Sequence, residues 1–325
     1  MTEHRMVSVE TAFGLEEALA RVRAGIERRV ALLGARVGDD LARHVGRPGK
    51  MLRSRYALAL GSALGVPEPV SENAARAVEI VHNASLLHDD CVDKAAIRRG
   101  TATPNGLFGQ TSGILLGDLA FAEGLEEAME ISPSAARELV GAVREMAVGE
   151  LQEEFLGGSL HVSVEGYLGI AARKTAALFE WCGTVLSQES PHEHRREDPP
   201  RLGRAAGVLL QIIDDIHDLT LDAEVSGKEP GQDFILGKLT LPCILAMDDP
   251  STRGPFLELW NRGPRERGQV PALVALLERG GHIEGARRKG REILDAALPM
   301  AGALPVPQAA GTLKEFMEAL ARREF

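Results

Sequence analysis

The sequence predicts an all-α fold, one large helical bundle, on three observations. Ala, Leu, Glu and Arg dominate a chain of 325 residues in which aromatics make up only 4%, and these residue types favour helices over sheets. Apolar residues recur at three- and four-residue steps through long segments. No run alternates apolar and polar residues with the strand period of two.

The elements follow in order. Residues 14–33 place Leu15, Leu19, Val22, Ile26 and Val30 on one helical face, with Arg and Glu between them. Gly46, Arg47 and Pro48 break the chain before a second helix from Lys50 to Leu64. Pro67 and Pro69 close the next connection, and Ser71 is the expected N-cap of a long helix reaching Asp93. Further helical stretches are predicted at 112–130, 133–156, 163–187, 200–222, 239–248, 270–278, 282–298 and 308–323. Gly and Pro gather in the connections between them. The chain reads as one domain over 1–325, with 1–13 expected to be a poorly ordered N-terminal segment.

Charge and cysteine usage exclude several classes. Acidic residues outnumber basic ones 47 to 37, for a net charge of -10. That balance argues against nucleic acid as a partner. Cys91, Cys182 and Cys243 are far apart and form no CxxC, so neither a disulfide framework nor a zinc site is expected. No segment approaches the ~18–20 apolar residues of a membrane span, and the N-terminus has no apolar signal core. The expectation is a cytoplasmic protein. Any membrane contact should be transient.

Two acidic clusters carry the chemistry. Asp89-Asp90-Cys91-Val92-Asp93 continues an apolar helix, and Asp214-Asp215-Ile216-His217-Asp218 repeats the pattern on another. Residues four apart share one helical face. Six converging carboxylates would repel one another unless cations lay between them. Oxygen-only ligands favour Mg²⁺, which tends to bridge to substrate phosphates. Basic residues in short punctuated motifs could neutralise such phosphates: Lys50 and Arg53, Arg98 and Arg99, Lys174, Lys228, and Lys238. His192 and His194 lie in a polar, Pro-flanked loop without ligand spacing and are set aside.

From about Gly49 to the C-terminus these motifs resemble the trans-isoprenyl diphosphate synthases of the polyprenyl synthetase family, in detail the bacterial medium- and long-chain members. The resemblance rests on HisAsnAlaSerLeuLeuHisAspAspCysValAsp followed by ArgArgGly, on Gly117-Asp118, and on Gly149-Glu150-Leu151-Gln152. Lys174-Thr175-Ala176-Ala177-Leu178-Phe179, Gln211 before Asp214, and the run from Gly227 to Pro242 complete it. Met51, Ser54 and Leu210 depart from the usual pattern.

The resemblance implies an isoprenoid synthase-like bundle around a central cavity, and a homodimer. It implies a Mg²⁺-dependent condensation of an allylic prenyl diphosphate with isopentenyl diphosphate, giving a trans product. Asp89, Asp93 and Asp214 would hold the metal, with Asp90, Asp215 and Asp218 completing or orienting its shell. Arg98, Lys174, Lys228 and Lys238 would bind the allylic diphosphate. Thr175 and Gln211 would face the allylic cation. Lys50, Arg53, His82 and Arg99 would grip isopentenyl diphosphate. The growing tail would run back along the first aspartate helix past Ser85, Ala84 and Val81, and small residues there favour a product beyond twenty carbons. Phe121 is the alternative floor, with a farnesyl or geranylgeranyl product. A terpene cyclase and a non-catalytic synthase subunit are the alternatives of other classes; the second aspartate motif with Lys50 and Arg53, and the presence of every aspartate, speak against them.

Overall fold

The computed structural model describes residues 3–34, 39–41, 49–98, 101–220 and 230–322, with side chains of the first helix described from residue 14 onward. Helix follows helix: α1 (Glu3–Ala31), α2 (Leu52–Leu64), α3 (Glu68–Val92), α4 (Pro104–Phe108), α5 (Gln110–Met129), α6 (Pro133–Phe155), α7 (Val164–Ala171), α8 (Ala177–Glu189), α9 (Asp198–Thr220), α10 (Gln232–Leu236), α11 (Leu241–Asp248), α12 (Pro250–Trp260), α13 (Val270–Arg279), α14 (His282–Gly302) and α15 (Pro307–Arg322). Among the described residues the strands are limited to β1 (Ile97–Arg98) and β2 (Thr101–Ala102), an antiparallel pair with Ile97 opposite Ala102. The predicted all-α class is what the structure has. The expected break at Gly46, Arg47 and Pro48 lies outside the described residues.

Local chemistry sets the helix ends. Ser132 and Ser163 accept hydrogen bonds from the backbone N–H groups of Ala135 and Gly166, capping α6 and α7. Ser71 is not the cap expected of it. α3 begins at Glu68 behind Pro67, with Pro69 in the first turn, where a missing N–H costs nothing, and Ser71 lies inside the helix. α1 starts ahead of the amphipathic stretch at 14–33, because no proline interrupts the preceding residues. α12 has no counterpart in the sequence reading: Gly254 and Pro255 mask it, yet Asp249 caps its first turn through the Ser251 N–H at 2.8 Å.

α3 runs through the middle of the molecule. It packs on α5, α2 and α1, while α9 packs on α8 and α14. The core between them is aliphatic, with Tyr56 and Phe179 meeting edge to face at 5.3 Å. Two glycines allow the close approaches that position the site. Gly207 of α9 lies where a Cβ would collide with Ala176. At Gly149 of α6 a Cβ would come within 2.7 Å of the Lys174 backbone nitrogen. Both press on a wide π turn, Ala172–Ala176, inserted between α7 and α8. Such turns re-aim side chains, and this one presents Lys174 and Thr175. No described helix is long and apolar enough to cross a membrane.

Candidate active site

The two aspartate clusters sit at the C-terminal ends of α3 and α9, and each helix divides its carboxylates between two faces. Neighbours in sequence point about 100° apart around a helix. Asp89 is half-buried, Asp93 is exposed just past the end of α3, and Asp214 is exposed on α9. Asp90 is buried and takes the Arg98 Nε at 2.7 Å. Asp215 is buried and accepts from the Tyr167 hydroxyl at 2.7 Å and from Gln211 Nε2 at 2.8 Å. The Thr175 hydroxyl donates in turn to Gln211 Oε1. Asp218 receives the backbone N–H groups of Gln232 and Asp233 at 3.2 and 3.1 Å, capping α10. In both clusters at least one aspartate is therefore committed to shaping the protein.

The lysines converge more tightly than sequence spacing implies. Lys174 Nζ lies 2.7 Å from Glu150 and 2.7 Å from Glu153, and Lys238 Nζ lies 2.9 Å from the same Glu153 oxygen. Burial opposes the Lys174 charge, but Glu153 and Glu150 outweigh it and hold the ammonium above the usual lysine range. Burial also raises the Asp89 carboxyl, to about 6; Glu150 adds to the push, and Lys174 and Arg98 oppose it. Asp233 is pushed up to about 7 by burial and then by Asp218.

Glu153, Tyr167, Lys174, Gln211, Asp215, Asp233 and Lys238, among others, line one open cleft. Arg53 lies over the Phe179 ring at 5.5 Å, in the first turn of α2. Lys50 is exposed just before that helix, and His82 is half-buried on α3. Arg99 and Lys228 lie outside the described residues. On the proposed tail path Ala84 and Val81 are fully buried, while Ser85 is half-buried and donates to the His82 carbonyl at 2.8 Å. A Cβ at Gly124 of α5 would lie 2.5 Å from Val81, so at that level the stripe is a helix contact. Phe121 of α5 packs against His88 at 5.4 Å. The set-aside His194 bonds Ser187 at 2.7 Å and the His192 carbonyl at 2.9 Å, an ordinary loop tether.

Glu153, Tyr167 and Asp233 were not singled out by sequence reasoning. Glu150 and Glu153 are three apart on a helix, which is a signal, but an acidic pair is usually a solvated face. Tyr167 precedes Lys174 by about two turns, a spacing that many core tyrosines share.

The donor set fits a hard divalent cation. Asp89, Asp93 and Asp214 offer oxygen alone, and the raised Asp89 marks charge that is under-compensated. Among the described residues no three His, Cys, Asp or Glu side chains form a ready-made cage. An ion here would share its ligands with substrate oxygens, as Mg²⁺ does.

Two aspartate helices and a lysine-lined cleft in one all-α bundle fit the prenyltransferase class. Residues 37–277 match the family model described as polyprenyl synthetase, and the chain belongs to that family. It is 30% identical over 263 residues to octaprenyl diphosphate synthase of Escherichia coli, covering 79% of this chain and 80% of the relative. It is also 30% identical over 298 residues to geranylgeranyl diphosphate synthase of Mycobacterium tuberculosis, covering 88% and 83%. Among solved structures, a polyprenyl synthase from Caulobacter crescentus, complexed with calcium and isoprenyl diphosphate, superposes with a TM-score of 0.87 at 27% identity, covering 95% of this chain and 96% of that one.

Proposed function

We propose that the protein is a Mg²⁺-dependent synthase that joins an allylic prenyl diphosphate to isopentenyl diphosphate and gives an all-trans polyprenyl diphosphate. The observation that carries this reading is the meeting of Lys174 and Lys238 with Gln211 and Asp215 of the second aspartate helix in one cleft, while Lys174 also acts on the carboxyl of Asp89 on the first. Asp89, Asp93 and Asp214 would hold Mg²⁺, which when bound supplies positive charge for the leaving diphosphate. Lys174 and Lys238, with Arg98 and Lys228, bind that diphosphate as its bond to the allylic carbon breaks and the electron pair leaves with it. Thr175 and Gln211 face the cation. Lys50, Arg53, His82 and Arg99 aim the isopentenyl double bond at it, and the proton lost afterwards passes to the released diphosphate. Asp90, Asp215 and Asp218 act through the bonds described above, orienting Arg98, Gln211 and α10.

For product length, the small residues Ala84 and Ser85 support a chain beyond twenty carbons. A second reading, a product of twenty carbons or fewer, is favoured by the close α3–α5 contact at Val81 and Gly124. A homodimer is supported by the exposed Leu107, Phe108, Ile114 and Leu115 on α4 and α5. The test is incubation with farnesyl and isopentenyl diphosphates, with and without Mg²⁺, reading products by mass. Metal-dependent elongation past twenty carbons is expected. No condensation under any metal would refute the reaction, and a stop at twenty carbons would establish the second reading.

A further inference from the structure

The oxygen of Glu153 shared by two ammonium groups has a consequence for how the cleft handles anions. Each ammonium has three N–H donors. Lys174 commits two of them, to Glu150 and Glu153, and Lys238 commits one to Glu153. The four groups are neutral as a set. Asp215 and Asp233 line the same cleft. A diphosphate arriving there meets lysines whose charge is already balanced from within the protein. Burial alone would raise the Glu153 carboxyl, but Lys174 and Lys238 hold it below the usual range, so it stays charged at neutral pH.

We propose that Glu153 is a positioning residue: an internal counter-ion that holds Lys174 and Lys238 together and competes with the diphosphate for them, so that released pyrophosphate is bound weakly enough to leave. This rests on the reading of the cleft as the allylic diphosphate site. Two ammonium groups on one oxygen would otherwise repel each other, and the carboxylate keeps them side by side. The same negative charge, 2.7 and 2.9 Å from the two ammonium groups, opposes any anion that binds to them.

The test measures inorganic pyrophosphate binding by calorimetry with Mg²⁺ present, alongside product inhibition by pyrophosphate. Glu153→Gln keeps the shape and removes the charge. It should bind pyrophosphate about tenfold tighter, roughly 1.4 kcal/mol, with kcat lowered and the inhibition constant falling in step. The KM for isopentenyl diphosphate should stay within about twofold. Glu153→Asp keeps the charge and should bind pyrophosphate nearly as the wild type does. Should Glu153→Gln fail to fold, Glu150→Gln, which frees Lys174 alone, should tighten binding by about threefold. Unchanged or weaker pyrophosphate binding by a folded Gln variant overturns the inference and leaves the site reading standing. A wild-type protein that binds no pyrophosphate overturns the site reading, and the inference with it.

Discussion

Asp89 pays for its position. Its carboxyl rises from 3.8 to about 6, chiefly through burial, with Glu150 adding to the shift. A raised carboxyl in the folded state means that the folded protein binds more protons than the unfolded chain between those two values. The penalty is absent below the lower one, grows through the window and is full above the upper one. Without metal, Asp89→Asn should therefore stabilise the protein at about pH 7.5, by at most about 3 kcal/mol, and leave it unchanged at about pH 4. Thermal melts in chelator at both pH values check this. Equal shifts at both would mean that the Asn side chain acts through packing. Adding Mg²⁺ should raise the wild-type melting temperature more than that of the variant, because the ion compensates a charge that only the wild type carries.

At the scale of elements, α3 carries Asp89, with Asp93 at its C-terminal cap, and the stripe of small residues behind them. With a rise of ~1.5 Å per residue, the stretch from Asp89 back to Ala74 spans about 20 Å. Ala84 is fully buried a little over one turn before Asp89. Ala84→Phe should shorten the product to fifteen or twenty carbons and leave the KM for isopentenyl diphosphate nearly unchanged. Product mass and initial rates read this directly. An unchanged product distribution would mean that the tail leaves along another face, as the packing of Val81 against α5 at Gly124 would permit. The π turn between α7 and α8 works on the same scale: Gly149 and Gly207 let α6 and α9 press close to it, with Lys174 in the cleft and the Thr175 hydroxyl on Gln211.

At the scale of the whole molecule, α4 and α5 leave Leu107, Phe108, Ile114 and Leu115 in solvent, with Leu115 61% exposed. Apolar side chains grouped in this way usually meet a partner surface. Sedimentation of the wild type should give twice the chain mass. Leu115→Glu combined with Phe108→Glu should shift it toward the monomer, since each places a charge in the contact. A wild type that sediments as a monomer would rule the homodimer out.

Helix periodicity, the two aspartate clusters and the punctuated lysine and arginine motifs were legible in the sequence, because each depends on residues near one another along the chain. The all-α class and the family followed from them. The tertiary structure alone decided which aspartates turn outward and which are tied to Arg98, Tyr167, Gln211 and the N-terminus of α10. It also brought Glu153 of α6 onto Lys174 and Lys238, residues far away in the chain. α12 does not read as a helix from the sequence because Gly254 and Pro255 stand inside it, and the start of α3 at Glu68 does not because Pro67 and Pro69 signal a break as well as a helix N-terminus. A sequence specifies residue types and local faces. Which charges share one oxygen depends on how close two backbones come, and here that distance is set by glycines whose partners lie on other helices.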